Sequence, residues 1–159
     1  MTECRRVDLD RDYDLLADLQ AQSWDINFPG ELFVEPAFRD AVEHGLRNND
    51  DLWAYIEGDQ FVGWIWLQWM MGGRRVHIRH IQVVGEHWGK GYGRRMLCDA
   101  IRWALEKRCT TMSLNVTRSN ERAMRLYAGL GFRASRTMGS RQEMRLELGD
   151  IASKTCEVA

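Results

Sequence analysis

At 159 residues, with 45% apolar and 28% charged side chains and a formal net charge of −1, the chain has the balance of one soluble globular domain with a sizeable core. No apolar run nears the roughly 20 residues a membrane helix needs, and Met1–Arg6 lacks the apolar stretch of a secretory signal. These features predict a cytoplasmic protein without a membrane partner.

In chain order, Arg5–Leu9 reads as a first strand. Asp10 is placed to cap a helix from about Arg11 to Ser23, with Leu15, Leu16 and Leu19 on one face. Trp24–Glu35, which contains Asn27-Phe28-Pro29-Gly30, reads as a loop. A second helix begins near Pro36, suited to a first turn, and runs through Phe38, Val42 and Leu46. Leu52–Ile56 and Phe61–Trp69 form a hairpin around Glu57-Gly58-Asp59-Gln60, and a further strand spans Val76–Val83. A glycine-rich turn launches a helix from about Tyr92 to Arg108, with Met96, Leu97, Ala100, Ile101, Ala104 and Leu105 inward and Arg95, Asp99, Arg102 and Glu106 outward. Thr111–Val116 is a strand, Glu121–Leu130 a short helix, Phe132–Met138 and Glu143–Leu148 a closing strand pair. The order β-α-α-β-β-β-α-β-α-β-β predicts an α/β fold with a mixed sheet, a single domain over residues 1–149 and a loose tail over 150–159.

Cys4, Cys98, Cys109 and Cys156 are scattered without a Cys-x-x-Cys, which argues against a disulfide framework or zinc site. His77 and His80 would point to opposite faces of their strand, so no metal is expected. Charge is unevenly divided. Residues 8–59 hold fourteen acids and three arginines, whereas residues 60–159 hold eight acids and seventeen basic side chains. An acidic half meeting a cationic substrate and a basic half holding an anion is one reading of that division; ordinary surface charge is the other. Nucleic-acid binding is not expected, because the arginines are dispersed through helices and strands and the whole chain is slightly acidic.

The most informative stretch is Val83-Val84-Gly85-Glu86-His87-Trp88-Gly89-Lys90-Gly91-Tyr92-Gly93, a strand running into a glycine turn and a helix. Such a turn aims free backbone N–H groups and a positive helix end at a phosphate. Two familiar glycine motifs are excluded. The dinucleotide pattern would need glycine where Arg94 or Met96 stands, and the triphosphate loop would need Ser or Thr after Gly89-Lys90.

A second phrase follows at Asn120-x-x-Ala123-x-x-Leu126-Tyr127-x-x-x-Gly131-Phe132. Together the two phrases resemble the GCN5-related N-acetyltransferase family, in which (Gln/Arg)-x-x-Gly-x-(Gly/Ala) binds the pyrophosphate of acetyl-coenzyme A. That pattern falls on Trp88–Gly93 here, with Trp88 in place of the usual Gln or Arg. The resemblance implies acetyl-CoA as cosubstrate, bound by Val83, Trp88, Gly89, Lys90, Gly91, Tyr92, Gly93, Arg94 and Asn120. It also implies that the N–H of Val83 polarises the acetyl carbonyl and that Tyr127 protonates the departing thiolate. A phenol of pKa about 10 stays protonated at neutral pH and can donate to a sulfur of pKa near 8.5.

Counting back from the turn places His77 where the histone-acetylating branch has its glutamate base. His80 and Glu86 are alternatives, and many relatives lack a dedicated base. The implied activity is N-acetylation of a primary amine on a cationic small molecule or peptide. Trp64 and Trp66, on the opposite face from Trp69, would pack in the core or flank the acceptor cleft together with Trp24 and Phe28. The alternative is a non-catalytic acyl-CoA sensor on the same fold. Homodimerisation is an expectation by analogy only.

Overall fold

The computed structural model describes residues 1–150 and Cys156. It divides into two compact units, the first of Met1–Gln68 and His80–Gly93, the second of 69–79 and 94 onward. With strands β1 (Thr2–Arg6), β2 (Asp51–Glu57), β3 (Gln60–Met70), β4 (Arg75–Val83), β5 (Thr111–Thr117), β6 (Arg133–Met138) and β7 (Arg141–Glu147), the order in the sheet is β1-β2-β3-β4-β5-β7-β6. This is the mixed sheet anticipated from the element order, accompanied among the described residues by four α-helices.

In the first unit β1 (Thr2–Arg6) pairs antiparallel with β2 (Asp51–Glu57), from Thr2↔Glu57 to Arg6↔Trp53. β2 in turn pairs antiparallel with β3 (Gln60–Met70). Helix α1 spans Leu9–Asn27. Its cap is Asp8, whose side chain accepts the N–H of Asp10 at 3.0 Å, so the cap lies two residues before the one expected. The helix also runs through Trp24–Asn27, which the sequence suggested was loop. No breaker occurs before Pro29-Gly30, and Asn27 Nδ2 closes the last turn on the Ser23 carbonyl at 2.9 Å.

Helix α2, Glu35–Arg47, carries proline in its first turn as expected. Leu16, Val42, Leu52, Ala54, Trp64 and Trp66 are completely buried and form the centre of this unit's core. Leu15, expected inward, is 42% exposed instead. Asp12, buried on α1, takes both guanidinium nitrogens of Arg5 at 2.7 and 2.8 Å and the Asp8 N–H at 2.8 Å.

In the second unit the first half of β4 (Arg75–Val83) pairs parallel with β5 (Thr111–Thr117) over Arg75–Ile78 and Thr111–Leu114. β5 pairs antiparallel with β7 (Arg141–Glu147) along seven residues. β7 pairs with β6 (Arg133–Met138), where a bulge falls between Ala134 and Arg136.

Helix α3, Tyr92–Glu106, buries Met96, Leu97, Ala100, Ile101 and Ala104 as its periodicity demands. Two positions on it differ from expectation. Asp99 is buried, joined to Arg102 at 2.9 Å and Arg95 at 3.9 Å, while Leu105 is 46% exposed. Helix α4 is Glu121–Gly129, followed by Gly131 at φ 100°.

A disulfide joins Cys98 to Cys156 with Cα atoms 5.3 Å apart. Their separation of 58 residues hides such a pairing from sequence reading. The buried Cys109 thiol instead donates to the Gly73 carbonyl at 2.9 Å. Apart from Asp150 and Cys156, the expected tail lies outside the described residues. Among the described residues, no helix is long and apolar enough to cross a membrane.

Candidate active site

The glycine turn follows β4 in the first unit. After Val83 the chain leaves the sheet, and the Val84 N–H reaches the Val62 carbonyl at 2.9 Å. A single 3₁₀ turn at Gly85–His87 then re-aims it toward the start of α3. Gly89 and Gly91 stand at φ 76° and 87°, a left-handed conformation that a side chain opposes. A Cβ built on either glycine meets no atom within 4 Å, so the main chain faces open space there.

Among the described residues, the N–H groups of Gly89, Lys90 and Gly91 make no backbone hydrogen bond. They precede a helix whose first N–H groups also lack intrahelical acceptors. This set of donors at a positive helix end, open to approach, suits a diphosphate.

Trp88 does something the sequence did not reveal. Its indole N–H donates to the Val83 carbonyl at 2.7 Å, tying the turn back to the end of β4, while half of the side chain stays exposed. Tyr92, the first residue of α3, donates its hydroxyl to Glu57 at 3.5 Å, and its ring stands perpendicular to that of His87 at 5.8 Å. The Lys90 and Arg94 side chains are exposed.

Elsewhere in the same unit, the second half of β4 contributes His80 and Gln82. Gln82 accepts the indole N–H of Trp64 at 2.7 Å and donates to Gln20 of α1 at 2.7 Å. His80 stacks on Trp64 and on Trp66, both at 5.5 Å between ring centroids. Neither glutamine stood out in the sequence, because an amide carries no motif. Their pairing depends on β4 and α1 being brought together from 62 residues apart.

The remaining candidates belong to the second unit. Tyr127 on α4 is 8% exposed and packs against Phe132 at 5.9 Å. Burial pushes its pKa up to about 12, partly opposed by Arg141, so the phenol keeps its proton at any physiological pH. Asn120 is the N-cap of α4, accepting the Ala123 N–H at 3.3 Å. That bond gives it a structural task beside the cofactor role implied by the resemblance.

His77 pairs through Nδ1 with the buried Ser113 hydroxyl at 2.8 Å, a hydroxyl that Arg75 also approaches at 3.2 Å. Burial lowers the His77 pKa, and Arg75 and Arg79 lower it further, so the imidazole is held neutral. His77 and His80 thus have separate surroundings. Among the described residues, no group of three or more His, Cys, Asp or Glu is arranged to hold a metal.

The sequence signature of the Acetyltransferase (GNAT) family matches residues 13–132, and the chain belongs to that family. It is 37% identical over 59 residues to the thialysine N-epsilon-acetyltransferase of Bos taurus, a match spanning 37% of this chain and 35% of the bovine protein's length.

Among solved structures, it resembles the PaiA N-acetyltransferase of Thermoplasma acidophilum in complex with coenzyme A. The TM-score is 0.77 at 18% identity, covering 92% of this chain and 99% of that one. It also resembles the Vibrio cholerae spermidine N-acetyltransferase in complex with CoA and spermine. There the TM-score is 0.74 at 16% identity, covering 93% and 96%. At these identities, the structural likeness speaks for the fold.

Proposed function

We propose that this chain transfers the acetyl group of acetyl-CoA to a primary amine of a cationic small molecule or peptide. The observation that carries the reading is the run of N–H groups at Gly89, Lys90 and Gly91 ahead of α3 that, among the described residues, make no backbone hydrogen bond. The family match over residues 13–132 supports it, as do fold relatives crystallised with coenzyme A. When bound, acetyl-CoA supplies a thioester whose acyl carbon is open to attack by a neutral amine.

In this reading the turn from Trp88 to Gly93 grips the diphosphate, with Lys90 and Arg94 adding positive charge. Trp88 acts by bracing the turn, and Asn120 by capping α4 next to further cofactor contacts. The main chain at Val83 polarises the acetyl carbonyl, a contribution of the oxyanion-hole kind. The amine nitrogen forms the new C–N bond as the C–S bond breaks. Tyr127 gives its proton to the departing sulfur; burial raises its pKa, which keeps the proton in place at neutral pH but makes the phenol a weaker donor, so the transfer relies on contact with the sulfur as its charge develops. His77, held neutral, takes the proton the amine loses, directly or through water.

The test follows thiol release from acetyl-CoA across a panel of amines. Tyr127→Phe should lower kcat by about 10²-fold or more while CoA affinity holds. Saturable CoA binding without turnover of any amine would overturn the reading. It would favour the second one, a non-catalytic acyl-CoA sensor, for which the engagement of His77 with Ser113 speaks.

A further inference from the structure

The negative surplus of residues 8–59 suggested an acceptor rich in positive charge, yet many of those carboxylates already have partners. Asp12 is held by Arg5, Asp51 by Arg6 at 3.2 Å and Glu43 by Arg39 at 3.0 Å. Asp50 accepts the Trp66 indole N–H at 2.9 Å, Glu35 accepts the Tyr13 hydroxyl, and Glu57 takes the terminal ammonium and Thr2. Arg39 lies over the Tyr13 ring at 4.5 Å, adding a positive charge on α2.

What the end of α1 and the start of α2 offer instead is a string of rings. Trp24 meets Phe28 at 4.5 Å and Phe33 at 6.0 Å; Phe33 meets Phe38 at 6.0 Å; Phe38 and His80 stand nearly perpendicular at 5.9 Å. The inner members Phe38, Trp64 and Trp66 are buried, whereas Trp24, Phe28 and Phe33 are half-buried at the outer end. Beside them Ile26, Leu32 and Val34 are 56%, 83% and 53% exposed. The Trp24 Nε1 is buried and, among the described residues, without a hydrogen-bond partner. The string ends at His80, three residues before Val83 on the same strand.

We infer that the acceptor carries a single amine on an aromatic or branched apolar body, and that Trp24, Phe28 and Phe33 select it. This rests on the acetyl-transfer reading above and narrows its substrate. An apolar body gains by leaving water against these rings. A chain of several ammonium groups would lose hydration against these rings, with Asp25 and Glu31 the two exposed acids between Trp24 and Phe33 to offset the loss. The exposed acids Asp25 and Glu31, on the same segment, suffice to attract one ammonium.

The experiment compares kcat/KM for 2-phenylethylamine and tyramine with that for putrescine and spermidine, using the full chain at saturating acetyl-CoA. The aryl amines should lead by about tenfold or more, the scale on which an apolar pocket discriminates. Phe33→Ala should raise KM for aryl amines by about fivefold or more, with acetyl-CoA KM unchanged. Phe33→Leu keeps the site filled and should give a smaller rise, which guards against a misfolded alanine variant.

Polyamines turned over as well as aryl amines, or variants that affect both classes equally, sink this inference and leave acetyl transfer standing. Bound acetyl-CoA with no amine acetylated sinks both.

Discussion

The indole N–H of Trp88 and the carbonyl of Val83 lie 2.7 Å apart, so the turn is braced by the residue that replaces the family's usual Gln or Arg. One such bond contributes about 1 kcal/mol net. Trp88→Phe keeps the ring and removes the donor. It should weaken CoA binding by about threefold to tenfold, read by calorimetry, and leave Tm within a few degrees. An unchanged Kd would mean that the turn holds its shape without the indole.

Gly91 sits at φ 87° beside open space, so Gly91→Ala meets backbone strain rather than a clash with the folded chain. The strain is about 1–2 kcal/mol. The added methyl would also stand where an anion approaches. CoA affinity should therefore fall by more than the loss of stability accounts for. Thermal unfolding with and without CoA separates the two effects: the ligand-induced rise in Tm should shrink.

Gly45 tests packing against propensity. Glycine inside a helix normally costs about 1 kcal/mol relative to alanine, which predicts that Gly45→Ala stabilises. A Cβ there, however, would lie 2.6 Å from the buried Trp66 ring, which has no room to yield. Overpacking of this kind costs about 1–3 kcal/mol. The clash should win, and urea denaturation should show a lower midpoint. A raised midpoint would show that α2 shifts freely over Trp66.

His77 makes stability depend on acid. Burial and the neighbouring Arg75 and Arg79 hold its folded pKa below the unfolded value of about 6.5. On acidification the unfolded chain therefore takes up this proton first. Stability should fall as pH drops below about 6.5, until the folded form protonates as well. His77→Asn should flatten that part of a Tm profile taken from pH 8 to 5. If His77 also serves as base, the acid limb of kcat/KM should fall below pH 6.5 and vanish in the variant, whereas an intact limb would assign the base elsewhere.

Local physics made most of the fold legible. The 3.6-residue stripe of α3, the apolar run of β3 behind its Gly58-Asp59 turn and the proline at the start of α2 act over a few residues, and so did the glycines that made the turn recognisable. The family phrases singled out Tyr127 on the same basis. Errors came where a local signal was ambiguous. Asp8 and Asp10 both make good caps, and Trp24–Asn27 looked like loop only because Pro29-Gly30 follows.

Tertiary structure decided the rest, because partners distant in sequence leave no local trace. Composition showed an acidic first half, but only the fold could reveal that Arg5, Arg6, Arg39, Trp66 and Tyr13 occupy so many of those carboxylates. Likewise the glycine-rich turn between strand and helix at residues 83 to 93 was readable from its own order. That Trp88 braces this turn, and that rings from α1, α2, β3 and β4 meet around His80, depended on which side chains the packed chain brings within a few ångströms of one another.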